Sequence, residues 1–284
     1  MGPEPFIGSE AVAAGQLTPY ALRSRFKAIY PDVYIAADAE LTSPTKAHAA
    51  WLWSDRRGVL AGFSASALHR AKWIDAHKPA EILHPNRHPP RGVKTYLDRF
   101  AADEVQFIRG MRVTTPARTA FDLACRHPTE SAVAAIDSLA RATHLQPADV
   151  ERIARRYPGR RGIKRARASL ELVDPGAESP RETGLRLLLI RANFPRPQTQ
   201  IPVYDDFGHL IARLDMGWQD LRVAVEYEGD HHRSDPRQFT NDIRRVETLT
   251  ELGWITVRVT AQDTPAGIIR RVAAARARPT AWSG

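Results

Sequence analysis

From Leu221 to Glu228 the chain alternates. Leu221, Val223 and Val225 are apolar, with Arg222, Ala224 and Glu226 between them, the two-residue period of a strand with one face in a core, and Gly229 stops it. On either side the pattern predicts a helix, three strands, a helix, a strand and a helix over residues 171–284. Ser179 caps the first helix, with Pro180 at its first position, Glu182 at the capping-box position and the apolar run LRLLLI behind them. Strands QTQIPVYD and HLIARLDMG meet at a turn from Asp206 to Gly208, and LRVAVEYEG follows. Ser234 and Pro236 open a second helix whose Phe239, Ile243, Val246, Leu249 and Leu252 share one face, and Gly253 ends it. WITVRVT is a further strand and IIRRVAAARARP the closing helix. Together these predict an α/β mixed sheet flanked by helices.

The first half reads as α+β. SEAVAAG is a short helix, and a second helix opens with Thr18 as N-cap and Pro19 at its first position, carrying Arg23, Arg25 and Lys27 as phosphate contacts. The strand DVYIA comes next. Helix, turn, helix and β-wing are the ingredients of a winged helix over 1–56, and a plain helical hairpin with a solvated basic face is the competing reading. Residues 57–145 mix short strands with the helices PARTAFDLACRH and ESAVAAIDSLARAT. The latter turns Val133, Ile136 and Leu139 to a core. His48, His69, His77, His84 and His88 lack metal-ligand spacing, and the pattern marks no catalytic constellation there. A basic linker helix over 146–170 joins the halves, with eight Arg or Lys between Arg152 and Arg167. Arg160, Arg161 and Lys164 in it form either a solvated face or a path for phosphates.

Composition narrows this further. At 284 residues with 43% hydrophobic content, the chain can build about two domains with real cores. A formal charge of +9 fits a partner that is a polyanion, DNA first, with RNA equally served by a basic surface. One cysteine, Cys125, excludes an internal disulfide and reads as a core thiol. No stretch approaches the length of a membrane span and no signal-peptide pattern opens the chain, so a cytoplasmic, membrane-free protein is expected. Oligomeric state is not encoded in any pattern of the sequence.

Candidate chemistry gathers around residues 215–232. Glu226 and Glu228, two apart on one strand face, and Asp215 at the end of a neighbouring strand would converge acceptor-only oxygens on one point, which suits a divalent cation.

At these residues the chain resembles the PD-(D/E)XK nuclease superfamily and, within it, small domains related to the very-short-patch-repair endonucleases. The resemblance is carried by Ser179-Pro-Arg-Glu182, Arg213-Leu-Asp215, Val225-Glu226-Tyr-Glu-Gly229, His232, Asn241-Asp242-Ile-Arg-Arg245, and Gly253-Trp254 with Arg258, over residues 175–270. It implies a restriction-endonuclease-like αβββαβ domain over 171–284. There Asp215, Glu226 and, through water, Glu182 would hold Mg²⁺ or Mn²⁺ and hydrolyse DNA phosphodiesters. Glu182 is equally a complete capping box. Glu228 stands where the superfamily usually has a lysine, so proton transfer would fall to His232, or else His231. Arg245 would hold a phosphate or pair with Asp242.

The first half is similar to AbiEi-type antitoxin proteins. The carriers are Leu17 to Tyr34, Gly62-Phe-Ser-Ala-Ser66, and Val113-Thr-Thr-Pro-Ala-Arg-Thr119 with Asp122. This implies a winged helix and a middle domain, and a toxin–antitoxin partner. Two functions are then open: a Mg²⁺-dependent DNA endonuclease with a DNA-binding half, or a catalytically silent regulator of antitoxin type.

Overall fold

The computed structural model describes residues 4–205, 207–228 and 245–278. Asp206, Gly229, His231, His232, Ser234, Pro236, Phe239, Asn241, Asp242 and Ile243 lie outside the described residues, so the expectations placed on them stand as sequence readings. The chain divides into two compact units, Met1–Val173 and Asp174–Gly284. The architecture is mixed α/β, with three sheets among the described residues.

The first unit opens with β1 (Phe6–Ile7), α1 (Gly8–Ala13), α2 (Pro19–Arg25), β2 (Phe26–Tyr30), β3 (Val33–Ala36) and α3 (Ser43–Trp53). Thr18 caps α2 as its sequence demands, its hydroxyl accepting from the N–H of Ala21 at 3.1 Å. The helix ends at Arg25 because Phe26–Tyr30 pairs antiparallel with β3. Lys27 therefore sits on a strand rather than on the second helix, and its ammonium donates to the carbonyl of Ala39 at 2.7 Å. That bond ties the strand to the segment after β3.

Next come β4 (Val59–Leu60), α4 (Gly62–Leu68), β5 (Ala80–Leu83), β6 (Val93–Tyr96), β7 (Val105–Ile108) and β8 (Met111–Thr114), then α5 (Pro116–Arg126), α6 (Thr129–Thr143), α7 (Pro147–Arg156) and α8 (Ile163–Glu171). The strands form one sheet in the order β6-β5-β4-β8-β7. Ala47, Ala50 and Leu52 of α3 share a core with Leu60, Ile82 and Val113 of this sheet, so residues 1–56 do not stand apart as a domain of their own. Val133, Ile136 and Leu139 face the helical core as their spacing predicts. The stretch expected to be a linker over 146–170 is instead two helices, whose Val150, Ile153, Ala154 and Ala166 enter that same core. Cys125 lies there too, and burial pushes its thiol up to about 11.

The second unit contains α9 (Pro180–Arg191), β9 (Gln198–Tyr204), β10 (Leu210–Trp218), β11 (Val223–Tyr227), a helical segment α10 (245–251), β12 (Ile255–Val259) and α11 (Pro265–Arg276). The sheet order is β12-β11-β10-β9, antiparallel except for the parallel β11–β12 pair. Strand β11 is not half-exposed as its alternation predicts. Val223 to Glu226 are all buried, because Val223 and Val225 pack with Leu185 of α9 and Val272 of α11 while Ala224 packs with Leu249 of α10. Among the described residues no helix is long and apolar enough to cross a membrane.

Candidate functional site

Asp215 lies inside β10, not at its end. Leu214 packs with Ala224 on one side of the sheet, whereas Met216 packs with Val225 on the other. Residues two apart on a regular strand share a face, so the strand changes face at Asp215. Gln200 falls between the pairs Leu214↔Ile201 and Met216↔Thr199 and takes a left-handed φ of 52°. Such irregularities re-aim side chains. Here the Asp215 carboxylate turns toward β11, where Oδ2 accepts the N–H of Tyr227 at 2.9 Å.

Glu226 is 6% exposed, and its Oε1 is paired with the guanidinium of Arg245, which also reaches the carbonyl of Arg213 at 3.4 Å. Arg245 is thereby engaged within the fold, and its acidic partner among the described residues is Glu226, where the sequence left a pair with Asp242 or a phosphate contact open. Glu228 follows the strand and pairs with Arg258 at 2.8 Å, while its N–H extends the parallel ladder to Val259. Glu182 is buried at the start of α9. Its Oε2 accepts the N–H of Glu178 at 2.8 Å, its Oε1 accepts the Ser179 hydroxyl at 2.8 Å, and its own N–H returns to Ser179 Oγ at 3.2 Å. The capping-box reading of Glu182 is thus realised in full.

These carboxylates feel one another. Burial raises the carboxyls of Glu182, Asp215 and Glu226 above their ordinary values, and the charge of Asp215 adds to the rise at both glutamates. The N–H of Tyr227 and the Arg245 guanidinium act against it at Asp215, and Arg245 does so at Glu226. The arrangement as it stands does not fit a Mg²⁺ or Mn²⁺ centre. Both oxygens of Glu182 are spent on the cap, one oxygen of Asp215 on a backbone N–H and one of Glu226 on a guanidinium. Among the described residues no three Asp, Glu, His or Cys side chains are grouped to hold a metal.

In the first unit, Arg23 and Arg25 are exposed on α2, and Tyr20 beside them is 76% exposed. Arg161 and Lys164 are exposed at the start of α8. Arg160 is not available in the same way. It is paired with Asp98 and lies 3.4 Å from Asp122, inside a polar cluster that the sequence pattern had not marked.

That cluster is the main feature missed. Arg118 bridges Glu104 and Asp122, all three within 1% of full burial, and Arg126 joins Asp122 to Asp98. Next to it, Glu81 is 2% exposed in β5. Its carboxylate accepts from the N–H of Phe63 at 2.9 Å and the hydroxyl of Tyr96 at 2.7 Å, and lies 3.1 Å from Nε2 of His127. The available signals were a lone carboxylate in the apolar run AEIL, and Arg118, Asp122 and Arg126 recurring every four residues on one helix. The cluster joins β5, β6, α5 and the loop before β7, and its opposite charges pair with one another as in a structural network, although Arg126 Nε and Nη1 have no hydrogen-bond partner there.

Comparison with known proteins bears on this unit. Residues 60–172 match the family of AbiEi antitoxin C-terminal domains. This part of the chain is AbiEi-like. It runs from β4 through α8 and so contains the Glu81 and Arg118 networks whole. Two uncharacterized proteins of Mycobacterium tuberculosis, one from strain CDC 1551 / Oshkosh and one from strain ATCC 25618 / H37Rv, are each 33% identical over 159 residues. The match covers 56% of this chain and 58% of each relative, so the chain spans little more than half the length of those proteins. No solved structure matches.

Proposed function

We propose that the chain is a DNA-binding regulator of antitoxin type, in which the α1–α2 module contacts duplex DNA and the AbiEi-like region engages a toxin. The observation that carries this reading is the family match over residues 60–172, preceded in the same unit by a helix, turn, helix and hairpin with exposed Arg23 and Arg25. Exposed Arg161 and Lys164 supply further positive charge for phosphates. Mobility-shift titration of the full chain against duplex DNA tests it. Binding should weaken steeply with salt, since each phosphate neutralised releases counterions, and Arg23→Ala should weaken it on every duplex. Salt-independent binding, or none, would count against it. Co-expression with the toxin encoded beside it, where there is one, should restore growth.

Metal-dependent hydrolysis of DNA is the second reading, favoured by one observation: two buried carboxylates, Glu182 and Glu226, and the half-buried Asp215, whose shared charge a cation would relieve. It requires Arg245 to leave Glu226. Calorimetric titration with Mn²⁺ separates the two, because uptake abolished by Asp215→Ala would support a metal site there and an absence of uptake would support the regulator.

A further inference from the structure

Tyr20 is a large aromatic side chain left in solvent on a small helix. The buried residue of α2 is Leu22, and at helical spacing Tyr20, Arg23 and Ser24 form one ridge on the opposite side. Among the described residues no acidic side chain pairs with Arg23 or Arg25, and no ring or cation packs on Tyr20. The ridge thus offers an apolar ring with a polar tip, flanked by free positive charge.

The neighbouring hairpin is not free to share the work. Tyr30 and Val33 pair directly, so the turn between β2 and β3 is only Pro31 and Asp32, with Asp32 at a left-handed φ of 59°. That turn is bound to the start of α1. The carbonyl of Asp32 accepts the N–H of Gly8 at 2.8 Å, and its carboxylate accepts the N–H of Ser9 at 2.9 Å and the Ser9 hydroxyl. Gly8 itself has no room for a side chain, since a Cβ there would lie 2.5 Å from the Tyr34 ring. A wing this short, held by its own tip, leaves the reading of bases to α2.

We propose that Tyr20 is a specificity-determining residue, its ring edge packing on a thymine methyl in the major groove while Arg23 and Arg25 hold the flanking phosphates. The inference rests on the DNA-binding reading above. Thymine's methyl is the apolar feature of the major-groove edge, so an apolar side chain there selects T·A over the other pairs. Phosphate contacts set register and carry no sequence information.

The test is selection of bound duplexes from a random-sequence pool by the full chain, then titration of the selected duplex. The wild type should enrich a consensus that contains thymine. Tyr20→Ala should lose the preference at one position and bind the selected duplex about tenfold more weakly with an unchanged salt dependence. Replacing that thymine by deoxyuridine should weaken the wild type similarly and leave Tyr20→Ala unaffected. Arg23→Ala should weaken all duplexes alike and lower the salt slope by about one. Circular dichroism of each variant, with Tyr20→Phe as the conservative control that retains the preference, separates reading from folding. An unchanged consensus in Tyr20→Ala overturns the proposal, and indifference of the wild type to deoxyuridine overturns the methyl contact. Duplex binding without any sequence preference also overturns it while leaving the DNA-binding reading intact. A wild type that binds no duplex removes both.

Discussion

The guanidinium of Arg245 closes on Oε1 of Glu226, so a positive charge carried by the chain itself answers the most buried carboxylate among the described residues of the second unit. A buried carboxylate without such a partner costs several kcal/mol. Arg245→Ala should therefore destabilise the second unit at neutral pH by about 2 kcal/mol, less than a fully buried pair would lose because the arginine is itself about one-third exposed. Adding Glu226→Gln should restore most of the loss. Denaturant unfolding of both single variants and the double variant measures this coupling, and strictly additive losses would refute it.

Asp215 carries a prediction of opposite sign to the usual carboxylate. Burial holds its carboxyl above the ordinary value despite the Tyr227 N–H. In the folded state it takes up a proton at higher pH than in the unfolded chain. Its contribution to stability is thus fully present below the unfolded value and is lost as pH rises through the folded one. Asp215→Asn keeps an acceptor for Tyr227 and removes the charge. It should stabilise the unit at pH 7, and the gain should vanish in acid below the ordinary aspartate range. A variant no more stable than wild type at pH 7 would mean that a cation or another positive group already compensates Asp215 in solution.

Contacts that close within one helical turn were legible in the sequence, and contacts between distant segments were not. The Ser179–Glu182 spacing gave the cap, because a capping box is local and its partners lie within one turn. Helix α6 followed from Val133, Ile136 and Leu139 for the same reason. Lys27 was misplaced because the end of α2 is decided by pairing with β3, further along the chain, and no local signal marks it. The pairing of Arg245 with Glu226 was not legible, because Glu226 is distant in sequence and meets it only once α10 covers the sheet, whereas Asp242, three residues away, is the local candidate. The charge of the 146–170 stretch suggested a solvated face or a path for phosphates and hid its part in the core, where Val150, Ile153, Ala154 and Ala166 pack with residues of α5. Arg160 finds its acids on α5 and the loop after β6, which no periodicity reveals.

Arg118 shows what that costs to disturb. Its guanidinium, 1% exposed, meets Glu104, Asp122 and the carbonyl of Arg99 and stacks on the Tyr157 ring. Arg118→Ala would leave two fully buried carboxylates short of their counter-ion, a loss of about 3–5 kcal/mol. Arg118→Lys should rescue little, because one ammonium cannot span the fork of partners. The expected outcome is a thermal midpoint lowered by at least several degrees in both variants. A lysine variant as stable as wild type would show that the fork geometry is unimportant.

Glu81 ties the first unit to pH. Burial alone would raise its carboxyl, but His127, the N–H of Phe63 and the Tyr96 hydroxyl together outweigh it and hold the group below its ordinary 4.5. A depressed folded value means stability that is present above the ordinary carboxylate range and is lost as pH falls through the folded value. The first unit should thus weaken in acid where the Asp215 region of the second gains. Gly62, at φ 51°, is what lets the carboxylate approach, since a Cβ there would lie 1.8 Å from Oε2 of Glu81. Gly62→Ala should displace the carboxylate and strain the backbone, lowering stability at pH 7 by about 1–3 kcal/mol. Glu81→Gln should flatten the acid branch of the stability curve. Hydrogen exchange of the Phe63 amide, measured between about pH 4 and 7, reads the bond directly: its protection should fall with acid in the wild type and be lower throughout in Gly62→Ala. Equal protection in the two proteins would show that the close approach of Glu81 does not depend on the glycine.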